Sequence, residues 1–465
     1  MVFSSFTFLC YFLPLTLLGY YIIPNLKLRN LFLLIASVIF YAANDYKCLF
    51  YLFNIIFATY VCALFISKEI SGLRKVFLLG GLVFIFGLLF YFKYTTFTLV
   101  TIGDLLQQNW IVSQIVMPIG ISFYTFQAAS YLIDVYRGGA VQKNFFNLAL
   151  YISMFPQLVA GPIVRYDSIK NELTNRTHSI ENIYLGFQRF LVGLGKKIII
   201  ADVLGLSVNR IFTTPVESLS VQIVWVGIIF YSLQIYFDFS AYSDMAIGLG
   251  KMLGFKFPEN FNYPYISKSI SEFWRRWHIS LSSWFKEYVY IPLGGNKKDL
   301  KRTCFNLMIV FLLTGIWHGA NWTFILWGIW YGVFIVIEKC VFQYFHVKMN
   351  IFYSILARLY TLFVVIIGWV LFKSDSIEHA YRYIKALFGC IPFQQKFGID
   401  YYVRPGCWMI AILAIVLSLG ITRFIPLLKN RKINLVYDLF LFATLFLCIL
   451  LLTANSYSPF IYFNF

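Results

Sequence analysis

Apolar runs recur along almost the whole chain, at 6–23, 31–41, 49–67, 76–92, 111–133, 145–162, 184–204, 219–236, 306–320, 322–337, 355–372, 408–422 and 434–453. A helix needs about 20 largely apolar residues to cross a bilayer, and backbone inside lipid must satisfy its own hydrogen bonds. The chain therefore reads as an all-α polytopic membrane protein. Several runs are too short or too polar to cross simply, which leaves about ten to twelve spans. Short runs broken by Gly and Pro are expected to stop mid-membrane or re-enter, where they are buried or line a cavity. The run at 6–23 has no basic segment before it and no small-residue cleavage site, so it reads as an uncleaved span.

Composition excludes the other classes. Of 465 residues, 60% are hydrophobic and only 12% charged, with a mean hydropathy of +0.74. A soluble chain carries roughly twice that charge, and a disordered, collagen-like or disulfide-scaffold chain lacks this apolar excess. The eight cysteines are scattered through apolar runs without a C-x-x-C pair. They read as small buried hydrophobes, with no disulfide framework and no metal site.

The net charge of +18 invites a nucleic-acid reading, but the basic residues sit in short clusters between apolar runs. That is where cytoplasmic loops collect Lys and Arg. Lys27 and Arg29, then Lys68, Arg74 and Lys75, mark cytoplasmic loops, and the neutral stretches around Asp45/Lys47 and Lys93/Asp104 fall between them as outer loops. Arg423, Lys429, Arg431 and Lys432 mark another cytoplasmic turn, placing both termini outside and requiring an even number of crossings. The segment 160–250 does not alternate cleanly and has no assigned topology. Residues 251–303 form the one long polar stretch of the core, net +6, and are expected to face the cytoplasm. No internal repeat is present, so repeat-built transporter folds gain no support.

Few residues in such a chain can do chemistry. Gly193-Leu194-Gly195-Lys196-Lys197 and Gly248-Leu249-Gly250-Lys251 lack the Walker spacing and a preceding strand, and no G-x-S-x-G elbow occurs. His318 lies in Gly315-Ile316-Trp317-His318-Gly319-Ala320-Asn321-Trp322, twelve residues beyond Asn306. That helical rise of about 18 Å carries the imidazole past the midplane, where ionisable groups are costly and usually functional. Gly315 and Gly319 allow a substrate or another helix to approach the backbone. The alternative is a histidine hydrogen-bonded in a helix interface; Asn321 and the flanking tryptophans favour function.

His278 follows a capping-box pattern, Ser269 with Glu272, that starts a helix. On one continuous helix Trp274, Trp277, His278 and Leu281 share an aromatic face. Arg275 and Arg276 point elsewhere and suit either a phosphate clamp or interfacial anchoring. Seven of the eleven tryptophans fall within 274–330; that density fits an acyl tunnel or plain packing equally. Asp238 and Asp244, six residues apart, stand about 120° apart on a helix and form no dyad. Either can orient a histidine or serve in helix packing.

Taken together, ordered strings resemble the membrane-bound O-acyltransferase (MBOAT) family, in its bacterial branch of alginate and peptidoglycan O-acetyltransferases. They are Met154 to Pro162, Tyr236 to Gly248, Pro258 to Phe261, Phe273 to Trp284, Ile291 to Asn296, Gly315 to Trp322 and the tail Pro459 to Phe463. They run from about 154 to the C-terminus, and Ala241 stands where the family pattern has Gly. The resemblance implies one membrane domain over 1–465 with a motif-bearing core at 154–330, built around a central funnel. It also implies that His318 matches the catalytic histidine and His278 the second motif histidine.

The expected reaction moves an acetyl group from a cytoplasmic thioester, acetyl-CoA as co-substrate, to a polysaccharide acceptor outside the cytoplasmic membrane of a bacterium. No cofactor is held. Trp274, Trp317 and Asp238 join Arg275, Arg276 and Asn321 as substrate-contacting candidates, with Asn321 or backbone N–H groups stabilising the oxyanion. Membrane lipid surrounds the chain, an extracytoplasmic SGNH-type acetyltransferase is the expected partner, and nucleic acid is not. D-alanyl transfer from a carrier protein to teichoic acid is an alternative, as is a polysaccharide or lipid transporter without covalent chemistry.

Overall fold

Every regular element among the described residues is helical. The computed structural model describes residues 1–68, 72–108, 110, 112–113, 115–297, 299–344, 350–420, 435–454 and 460–461. The cytoplasmic turn read at Arg423–Lys432 lies outside them, as does most of the Pro459–Phe463 string.

Among the described residues seven helices are long and apolar enough to cross a membrane: Cys48–Ser67, Leu73–Leu105, Val221–Met252, Leu300–His318, Trp322–Val341, Ile351–Lys373 and Leu435–Thr453. Phe8–Ile22 and Pro405–Ser418 are shorter apolar helices. Other runs behind the sequence count of ten to twelve form shorter or irregular helices. The run at 145–162 becomes Phe145–Ser153 and Phe155–Leu158, interrupted just before Pro156. The run at 184–204 lies in a continuous helical stretch, Ile180–Gly195 and Asp202–Phe212 joined by a π-helical turn, Lys196–Ala201. Lys93 and Asp104 correct the topology reading: both belong to the 33-residue helix Leu73–Leu105 rather than to a loop. No proline stands between them, and Lys93 is accommodated inside the helix by donating to Ser122 Oγ at 3.4 Å.

Spans differ in what they face. Within its apolar window Val221–Met252 is 78% buried, whereas Leu435–Thr453 is 11% buried and presents itself to lipid. The first carries Ser232, Asp238, Ser240, Ser243 and Asp244, all buried, and polar groups at membrane depth must face protein.

The chain divides into two compact units, and the motif-bearing stretch 154–330 contributes to both. The first comprises Met1–Val192, Tyr242–Pro258 and Leu452–Phe465. In it Ile121–Tyr136 packs against Cys48–Ser67 and Leu73–Leu105, and every residue from Ile121 to Leu132 is buried. Gly186 and Gly248 let two helices touch backbone to backbone, since a Cβ on either would come within 2.6 Å of the other's carbonyl oxygen. Beside this crossing Arg189 Nη2 pairs with Asp244 at 2.6 Å. Gly248 is thus a packing residue, as the rejection of a phosphate loop requires.

The second unit comprises Gly193–Ala241 and Glu259–Leu451. Its centre is the hairpin of Leu300–His318 and Trp322–Tyr344, flanked by Ile351–Lys373. Both histidines of interest belong to this unit.

Candidate active site

The hairpin fixes His318. Asp299 caps the first helix by accepting from Arg302 N at 3.3 Å, and apolar residues carry it inward to His318, its last residue. Gly319 is extended and ends it. The two helices meet at glycines: a Cβ on Gly315 would stand 2.4 Å from the Phe324 carbonyl oxygen, and one on Gly328 would stand 2.5 Å from that of Phe311. Close approach by another helix, one of the two uses read for Gly315, is what the structure makes of it. His318 is 2% exposed. Its ring meets Trp317, Trp327 and Phe372 edge-on, with centroids 4.9, 4.8 and 5.2 Å away.

His278 is held differently, and here the structure corrects the single-helix reading. Ser269 does cap a helix, accepting from Glu272 N at 3.0 Å, but that helix runs only Ile270–Arg276. Trp277 is extended, His278 is left-handed (φ 45°, ψ 56°), and a second helix covers Ile279–Phe285. Left-handed backbone costs a residue with a Cβ of order 1–3 kcal/mol and persists only where surroundings hold it. Trp274, Trp277, His278 and Leu281 are nonetheless all buried, so the break turns rather than abolishes their common side.

The restraint comes from the segment around Asn260. Its backbone carbonyl accepts from Ile279 N at 3.0 Å, and Asn262 N donates to the Arg276 carbonyl at 2.9 Å. The Asn260 side-chain oxygen accepts from Ser280 N at 3.1 Å and Ser280 Oγ at 2.9 Å, which fixes it as an acceptor. His278 Nδ1, 3.1 Å from the same oxygen, must therefore carry the proton, leaving the basic lone pair on Nε2. Burial pushes the imidazole down to about 3, so it is neutral at ordinary pH. Phe239 stands edge-on to its ring at 4.7 Å, and Trp317 lies 6.1 Å away. One indole thus contacts both histidines.

The remaining candidates fall into distinct places. Trp274 packs edge-on against Trp327, Tyr331 and Phe311, and Trp277 lies 4.9 Å from Trp369; this tryptophan density is packing. Arg276 is engaged by Glu272 at 2.8 Å and donates to the Asn262 carbonyl, while Arg275 is exposed, so the two guanidinium groups are not brought together as a clamp. Asn321 caps the second hairpin helix: its oxygen accepts from Thr323 N at 3.0 Å and its amide donates to the Asp375 carbonyl at 2.9 Å. Asp238 pairs with Lys197 at 2.7 Å, and Lys197 also reaches Asp202 at 2.8 Å. It therefore sets the position of its neighbour Phe239, and Phe239 is what touches His278.

Three residues escaped the sequence reading. Lys197 and Glu338 each interrupt an apolar run, which is itself a signal. Glu338 accepts from Ile270 N at 2.5 Å and Ser271 N at 3.0 Å, capping the helix that leads to His278. Asn260 lies within one of the resemblance strings, but nothing local discloses that its partner stands 18 residues away.

Comparison with known proteins agrees with the resemblance. Residues 109–373 match MBOAT, the membrane-bound O-acyltransferase family. The chain is 41% identical over 400 residues to "Probable alginate O-acetylase AlgI" of Pseudomonas aeruginosa, covering 83% of this chain and 75% of that one. It is 33% identical to the peptidoglycan O-acetyltransferase of Helicobacter pylori, over 100% of this chain and 98% of that one. The teichoic acid D-alanyltransferase of Bacillus subtilis is 30% identical over 56% of this chain and 70% of its own length.

Proposed function

Because the chain belongs to the membrane-bound O-acyltransferase family and is thus a multi-pass membrane acyltransferase, we propose that it transfers an acetyl group from a cytoplasmic thioester, acetyl-CoA, toward O-acetylation of an extracytoplasmic polysaccharide. The observation that carries the chemistry is the pair of buried histidines sharing the Trp317 ring. His318 takes the proton as an attacking hydroxyl oxygen, that of the group which carries the acetyl on to the SGNH-type partner, adds to the thioester carbonyl. The tetrahedral intermediate collapses with cleavage of the C–S bond, and the proton passes from His318 to the leaving thiolate. Backbone N–H groups, rather than the Asn321 amide that caps a helix, suit the oxyanion. His278, with its lone pair on Nε2, accepts a hydrogen bond in the same site and holds one reactant in place.

Arg275 and the lysines of 251–303 supply the attraction for the donor's phosphates. The acceptor receives its acetyl group through an extracytoplasmic SGNH-type partner, in the cytoplasmic membrane of a bacterium. D-alanyl transfer is the second reading, favoured by the similarity to the D-alanyltransferase of Bacillus subtilis. Mass spectrometry of envelope glycans from cells carrying wild-type or His318→Ala protein separates them. An acetyl-sized mass lost from one polymer supports the proposal; loss of an alanyl-sized mass, or no change, refutes it.

A further inference from the structure

The first unit contains a cleft of about 370 Å³ that the acyl-transfer reading does not use. It lies where Ile121–Tyr136 ends and the chain turns back toward Tyr166. Its lining includes Asp134, Arg137, Arg165 and Asp167 beside Tyr131 and Tyr166, and Lys170 pairs with Asp167 at 2.5 Å.

The cleft is preformed rather than a gap between loose loops. The two tyrosine rings meet edge-on at 4.9 Å. Gln142 ties them: its backbone N–H donates to the Tyr131 hydroxyl at 2.8 Å and its side-chain amide to that of Tyr166 at 3.0 Å. The rim is anchored to a spanning helix, since Arg74 Nη2 in the first turn of Leu73–Leu105 donates to the Tyr136 carbonyl at 2.8 Å. Lys68, Arg74 and Lys75 put that end on the cytoplasmic side. That end of the helix places the opening toward headgroup level of the cytoplasm-facing leaflet.

A site for a simple anion would not carry two carboxylates, and a site for a cation would not carry two guanidinium forks. Arginine binds phosphate bidentately. Carboxylates accept from ammonium groups, as Asp167 already does from Lys170 at 2.5 Å. The geometry points to a binding site for a zwitterionic phospholipid headgroup of the phosphoethanolamine class, its phosphate on Arg137 and Arg165 and its ammonium on Asp134 and Asp167. The headgroup exchanges into contacts that these side chains otherwise make within the protein, its ammonium displacing Lys170 from Asp167.

Native mass spectrometry of the purified full-length protein in detergent tests this, with phosphatidylethanolamine, phosphatidylglycerol and diacylglycerol of identical acyl chains as probes. The wild type is expected to retain phosphatidylethanolamine at least tenfold over the other two. Arg137→Ala with Arg165→Ala should abolish that preference, and Asp134→Asn with Asp167→Asn should reverse it toward phosphatidylglycerol. Equal retention of the three lipids, or retention unchanged in both variants, overturns the site. Binding of free phosphoethanolamine without retention of intact lipid also overturns it. A thermal midpoint matching wild type shows that each variant is folded; should the alanine variant fail, Arg165→Lys keeps the charge, loses the fork and should still weaken retention.

Discussion

His278 and His318 share one indole yet are held by different means, and the difference separates two ways of placing an imidazole inside a membrane protein. His318 is placed by secondary structure. It ends a helix whose glycines seat it against its hairpin partner, and three rings pack edge-on against it. His278 is placed against secondary structure, at a left-handed break, by hydrogen bonds from a distant segment that also select its tautomer. A tautomer fixed by a side-chain acceptor favours a constant hydrogen-bonding role for His278.

The largest expected effect falls on the first histidine. His318→Ala should slow acyl transfer by roughly 10²–10⁴, the range for a lost general base, without lowering the thermal midpoint as much as a cavity in the second unit's core would. Equal loss of stability and rate would erase the distinction. Next is Asp238→Ala, which strips a buried lysine of one of its two carboxylates. Breaking a buried pair costs about 3–5 kcal/mol, and the retained Asp202 puts this variant at the lower end, measured by thermal unfolding. Its rate should fall through displacement of Phe239 and hence of His278, so a double-mutant cycle with His278→Ala should be non-additive.

Asn260→Ala frees the His278 ring and should lower the rate about 10–100-fold, as loss of an orienting partner does elsewhere. Its pH–rate profile should change shape as the tautomer is released, which a merely structural role would not produce. The smallest effect is on pH and stability. Because the folded pKa of His278, about 3, is below its unfolded value near 6.5, the unfolded chain binds the extra proton. Stability is therefore full above pH 6.5 and falls by about 1.4 kcal/mol per unit below it, roughly 2 kcal/mol at pH 5. His278→Asn should remove that slope between pH 6.5 and 5 in thermal melts.

The same contrast explains what could be read from sequence. His318 was legible because everything that places it is local: the apolar run, the glycines, the stop at Gly319. The burial of Trp274, Trp277, His278 and Leu281 was legible from their spacing. The break among them was not, because it depends on Asn260 and Glu338, whose partners stand 18 and about 67 residues away and leave no periodic trace. Asp238 was legible as an unusual carboxylate, but its partner Lys197 sits within a π-helical turn that no spacing rule anticipates.

Leu73–Leu105 carries a consequence for the membrane itself. Thirty-three residues make a rod about 50 Å long, against a hydrocarbon core of about 30 Å. Even a 40° tilt accommodates only about 39 Å of it, so several residues must stand in the headgroups. Counted from Lys75, Asp104 comes about 44 Å along the axis and stands beyond the hydrocarbon core at any such tilt, while Lys93 turns inward and donates to the buried Ser122 Oγ at 3.4 Å. The helix is therefore a thickness gauge. A thicker bilayer would draw its outer end inward, and activity in vesicles of increasing acyl length should decline once the exposed Asp104 is pulled out of the headgroups.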